Sequence, residues 1–212
     1  MASNKEKSFN QEKGLKVLIT VLAVALIIGG GYFAYQEWIV KPKSEKAASA
    51  MVDVERFFEN QQYEEAINGD GQNRGALAII SDYGNTKSGN LARYYAGMSF
   101  LHLGEYEEAI KHLDAYKKMS GTVLQALAEG GKGDAHLELG HNDKAEAAYR
   151  KVINYKDELV SPIYLFRLAM LLDQKDQKDE AVKLLKEIKS DYPLSVQAQD
   201  VDKYLGYLGG LD

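Results

Sequence analysis

Four short segments of one pattern recur along the chain: QQYEEAI at 61–67, GEYEEAI at 104–110, GHNDKAE at 140–146 and DQKDEAV at 176–182. Their shared alanines, Ala66, Ala109, Ala145 and Ala181, are separated by 43, 36 and 36 residues. A period of this size is the mark of stacked supersecondary units, none of which buries its apolar face alone. With only 3 prolines, and with Ala, Leu, Glu and Lys abundant, the units read as helices. The expectation is an all-α array.

The second copy shows the unit most clearly. In LARYYAGMSFLHLGEYEEAIKHLDAYK, Ala96 and Gly97 are small where two helices must approach, and Gly104 falls at the turn between them. Tyr106, Ala109, Leu113 and Tyr116 then recur at steps of three or four, the stripe of an amphipathic second helix. The third copy repeats this with Gly133, Leu137, Gly140, Ala145, Tyr149 and Val152. The fourth uses Leu168, Ala169, Leu172, Ala181, Leu185 and Ile188, with Pro193 as the stop. The pattern resembles the tetratricopeptide repeat, with about four units over residues 47–193. The first copy departs from it: NGDGQNRG after Ile67 is loop-forming, and GALAIISDY then resumes a helical pattern. Residues 194–212 read as a final helix that covers the apolar end of the array and stops at Gly209 and Gly210.

Ahead of the repeats, 17–35 reads VLITVLAVALIIGGGYFAY without a charge. With Leu15 and the run to Val40, a helix over 15–40 is long enough to span roughly 30 Å of hydrocarbon. It follows a short charged segment, 1–14, and leads into a linker, 41–50, that runs into the first repeat helix. Val17, Leu18, Leu22, Leu26, Gly29 and Gly30 belong to the anchor, and Tyr32, Tyr35 and Trp38 gather at its end as interfacial aromatics. A cleaved signal peptide would have a shorter apolar core and small residues at its cleavage site, whereas here Tyr32 and Phe33 precede Ala34. The expectation is an uncleaved anchor in the bilayer. Lys5, Lys7, Lys13 and Lys16 on one side are matched by Lys41, Lys43, Lys46 and Arg56 on the other, so charge does not orient it.

Several functions are disfavoured. Residues 1–46 carry seven lysines and four acids, which leaves 19 basic and 27 acidic residues beyond them. So acidic a soluble part does not neutralise phosphates, and no nucleic-acid partner is expected. The absence of cysteine removes thiolate sites and nucleophiles. His102, His112, His136 and His141 form no HExxH arrangement, and DGQNRG lacks the carboxylates of a calcium loop. No serine sits in a GxSxG elbow. The reading is a non-enzyme without metal or cofactor.

Stacked helix pairs offer the face made by their first helices to other molecules. The repeat register puts Met51, Phe58, Tyr94, Met98, Leu101, Leu137, Phe166 and Met170 on it, a Met- and aromatic-rich surface suited to polypeptide. The whole arrangement, with GGGYFAYQEW, KSEKAASA, NTKSGNLARYYAG and LFRLAMLLDQKDQKDEAVKLLKEI, resembles the YfgM family. That resemblance implies a bacterial inner-membrane protein with a cytoplasmic N-terminus and periplasmic repeats. It further implies an accessory role beside the SecYEG translocon and a membrane-anchored periplasmic chaperone. A scaffold for another cell-envelope assembly would use the same architecture.

Overall fold

The computed structural model describes the backbone of residues 2–119 and 123–210, and the side chains of 16, 19–119 and 123–210. The chain divides into two compact units, 1–46 and 47–212. Among the described residues all regular structure is helical, and the single β-bridge joins Gly69 to Arg74.

The first unit is built on helix α1, Ala2–Tyr35. From Ile19 to Phe33 every residue is exposed, including Leu22, Leu26, Gly29, Gly30 and Tyr32, and Tyr35 and Trp38 are exposed beyond it. The side chains of Val17 and Leu18 lie outside the described residues. The helical stretch Ile19–Glu59 is long and apolar enough to cross a membrane. A π-helical turn, Gln36–Val40, separates α1 from α2, Lys41–Glu59. Its cause is local. Pro42 has no N–H and its ring crowds the carbonyl one turn back, and the wider turn, in which the Lys41 N–H donates to the Gln36 carbonyl, absorbs that conflict.

The second unit continues with α3 (Tyr63–Asn68), α4 (Ala76–Tyr83), α5 (Lys87–Leu103), α6 (Tyr106–Ala115), α7 (Val123–Glu138), α8 (Asn142–Ile153), α9 (Ser161–Gln174), α10 (Lys178–Asp191) and α11 (Val196–Leu208). Hairpins α5–α6, α7–α8 and α9–α10 pack in succession, and α11 lies on α10 and α9. Each recurrent segment opens on a left-handed residue: Gln61 (φ 61°), Gly104 (φ 80°), Gly140 (φ 73°) and Asp176 (φ 59°). At each, the next N–H donates back five residues, as from Glu105 to the Phe100 carbonyl (2.9 Å) and from Gln177 to that of Leu172 (2.8 Å). These are Schellman stops. The carbonyl of that next residue then accepts the N–H of the repeat alanine itself: Ala66 donates to Gln62 (2.9 Å), Ala109 to Glu105 (2.9 Å), Ala145 to His141 (3.0 Å) and Ala181 to Gln177 (3.2 Å). All four alanines are fully buried. One seven-residue segment thus ends one helix, reverses the chain and starts the next.

The long first interval is explained by an interrupted second helix. α3 stops at Gly69, and the Asp70 carboxylate organises the loop by accepting the N–H groups of Gln72 (2.9 Å) and Asn73 (2.6 Å). Those bonds hold the Asp70 pKa below its ordinary value, the Asn73 contacts most. The chain resumes as α4, which supplies Ala76 and Ile79 to the core.

Close approach between paired helices depends on missing side chains. A Cβ on Gly133 of α7 would lie 2.5 Å from the Tyr149 ring of α8. The Gly133→Ala variant is expected to lose about 1–3 kcal/mol of stability through overpacking, despite alanine's better helix propensity. Denaturant titration measures it, and an unchanged or raised midpoint overturns the close-packing account. The turns offer a reciprocal test. Gln61→Gly should stabilise by about 0.5–1 kcal/mol, while Gly140→Gln should destabilise by about 1 kcal/mol or more. Shifts of the same sign in the two variants would contradict the role given to the left-handed residue.

Candidate groove on the first helices of the repeats

The first helices α5, α7 and α9 carry most of the residues that the register assigns to a binding face, and α2 carries Met51 and Phe58. Six of the eight are half-buried: Phe58, Met98, Leu101, Leu137, Phe166 and Met170. The other two are core residues and need correction. Met51 is 3% exposed, packed in one cluster with Ile67, Ala76 and Ile79, because the inserted helix α4 fills the space beside it. Tyr94 is 6% exposed, clustered with Leu113, Tyr116 and Ala128, its ring centroid 5.8 Å from that of Tyr116. The small Ala128 on α7 lets the next repeat come close and cover it. Phe166 meets Tyr204 of α11 edge-on at 4.8 Å, so the last helix closes that end of the face.

The structure brings Leu101 and Leu137 together in one cleft of about 360 Å³. Its apolar floor is these two leucines and the ring of Tyr149, and its polar walls are His102, Tyr106, Asp134, Glu138 and Arg167. Asp134 is the hub. It accepts a hydrogen bond from the Tyr149 hydroxyl (2.8 Å), a long one from Tyr164 (3.5 Å), and the guanidinium of Arg167. Arg167 also lies over the Tyr164 ring, 5.1 Å from its centroid. Burial, and then the Asp134 carboxylate, push the hydroxyl pKa of both tyrosines well up. For Arg167, burial opposes the charge, but Asp134 outweighs it and the guanidinium is held more firmly protonated. The geometry requires Gly130, since a Cβ there would fall on the Tyr164 ring.

A second cluster adjoins the cleft. The Tyr63 ring stacks on His102 at 4.4 Å, and Phe58 stands edge-on to Tyr63 (5.6 Å), Tyr95 (5.2 Å) and His102 (5.9 Å). Desolvation pushes His102 below its ordinary pKa.

Residues 74–122 and 131–195 match the tetratricopeptide repeat, together more than half of the chain. The chain belongs to the tetratricopeptide-repeat family. No curated protein matches it. The tetratricopeptide register also shows how the polar groups went unnoticed in the sequence. Met98, Asp134 and Met170 are spaced by 36, as are His102 and Glu138, so each occupies one recurring position. Selecting that face by apolarity passes over Asp134, Glu138 and Arg167, although the period itself places the two carboxylates.

Removing the hub leaves the buried Tyr149 hydroxyl without its acceptor and the exposed Arg167 without its ion pair. Asp134→Ala is expected to destabilise the repeats by about 2–3 kcal/mol, and adding Tyr149→Phe should recover part of that loss. Denaturation of the two single variants and the double variant gives the coupling, and strict additivity would remove Asp134 from its place at the centre.

Proposed function

We propose that this chain is a membrane-anchored, non-catalytic protein-interaction module that binds partner or client polypeptides along the face formed by α5, α7 and α9. Tetratricopeptide repeats generally mediate protein–protein contacts. The observation that carries the reading is the half-buried apolar strip Met98, Leu101, Leu137 and Met170, which recurs with the repeat period on that face. Adaptable thioether and leucine side chains next to a cleft suit an extended segment of varied sequence.

The finer reading places the N-terminal helix in a bacterial inner membrane, the N-terminus in the cytoplasm and the repeats in the periplasm. There the module would serve the SecYEG translocon and a membrane-anchored periplasmic chaperone. Its support is the resemblance of the anchor, linker and repeat motifs to the YfgM family.

Photocrosslinking in intact membranes tests both levels. A crosslinking amino acid at Met98 or Leu137 should capture translocon subunits or chaperone, and one at the exposed Lys183 of α10 should not. Equal capture from Lys183 overturns the groove. A fixed envelope complex without translocon subunits favours the scaffold and ends the secretory reading. Protease should reach the repeats in spheroplasts but not in intact cells; protection in both contradicts the topology.

A further inference from the structure

The cleft carries an unbalanced charge. Arg167 is matched by Asp134, and among the described residues no ion pair reaches the Glu138 carboxylate. Glu138 is exposed at the end of α7, and its one hydrogen bond among the described residues is a long one from the Tyr106 hydroxyl at 3.4 Å. Leu101 and Leu137 line the same cleft, and His102 on its rim stacks on Tyr63 of the Phe58–Tyr63–Tyr95 cluster. Two further carboxylates flank that cluster: Glu55 and Glu59 of α2 both act electrostatically on Tyr95.

The combination has one complementary guest chemistry. An aliphatic stem fits the leucine floor, a cationic head fits the free carboxylate, and aromatic rings attract cations over their faces. A carboxylate guest would meet Glu138 and find Arg167 already engaged. Resting on the proposed polypeptide-binding function, we infer that this groove selects extended segments in which a lysine or arginine stands among apolar residues, with the basic side chain seated in the cleft against Glu138. The volume of about 360 Å³ is at the small end of ligand pockets, in keeping with one side chain of a longer chain. The acidity of the protein beyond residue 46, with 19 basic and 27 acidic residues, also steers such segments toward the repeats.

The test uses the full-length protein in nanodiscs of phosphatidylcholine, an uncharged surface that does not itself attract a basic peptide, with empty nanodiscs as the blank. The probes are three fluorescent peptides of leucine, serine and glycine, identical except for a central lysine, methionine or glutamate. Anisotropy titration should rank lysine first, about three- to tenfold tighter than methionine, with glutamate weakest. Glu138→Gln should abolish the lysine advantage, bringing the lysine and methionine peptides to equal affinity. Glu187→Gln, an exposed carboxylate on α10, should retain it.

Equal binding of the lysine and methionine peptides overturns the inference while the polypeptide-binding function stands. So does a lysine advantage that survives in Glu138→Gln. Loss of the advantage in Glu187→Gln as well assigns it to net charge and overturns the cleft. Failure of all three peptides to bind overturns this inference and the proposed function together.

Discussion

The close approach of paired helices governs this molecule. Two helices joined by a tight turn bury their shared stripe only where one of them withdraws its side chains, and the array does this at the same place in every unit. The repeat alanines are fully buried, and each donates its backbone N–H to the carbonyl of the residue that follows the left-handed turn. On α7, Gly133 admits the Tyr149 ring, and Gly130 admits that of Tyr164. Large residues then occupy the room so created, as interdigitated packing demands. The groove depends on the same contacts, because Tyr149 and Tyr164 carry into it the hydroxyls that donate to Asp134.

Electrostatics add a second level of order. Between the third and fourth units, Lys175 pairs with Glu146 (2.7 Å) and Asp143 (2.9 Å), and Arg150 bridges Glu146 (2.9 Å) and Glu180 (2.8 Å). These pairs are partly exposed, and each is worth little alone. As a network they join first and second helices of adjacent units at the turn edge. The Asp134 group does the equivalent inside the groove, tying α7, α8 and α9 together with three donors on one carboxylate.

Much of this was legible in the residues. The recurrence of the alanines announced the helical array, and Gly104 and Gly140 announced their turns. Gln61 and Asp176 adopt the same left-handed backbone without glycine, since the Schellman bonds and the helices on either side impose it. Met51 and Tyr94 were in register with the groove, yet α4, which the period does not place, covers Met51, and Tyr116, a bulky ring at the position that Val152 and Ile188 repeat, covers Tyr94. The π-helical turn before Pro42 reflects a backbone conflict that hydropathy does not register. The cleft's carboxylates sat at recurring positions, but a search for apolar side chains is blind to them.

Helix α7 has a further consequence. It contains Gly130, Gly131 and Gly133 within one turn, each buried, and glycine weakens a helix interior by about 1 kcal/mol relative to alanine. So thin a helix is poorly formed on its own and draws its order from the units on either side. The middle of the array therefore has no helical life apart from its company: when either flanking repeat melts, α7 loses part of what orders it and frays in turn.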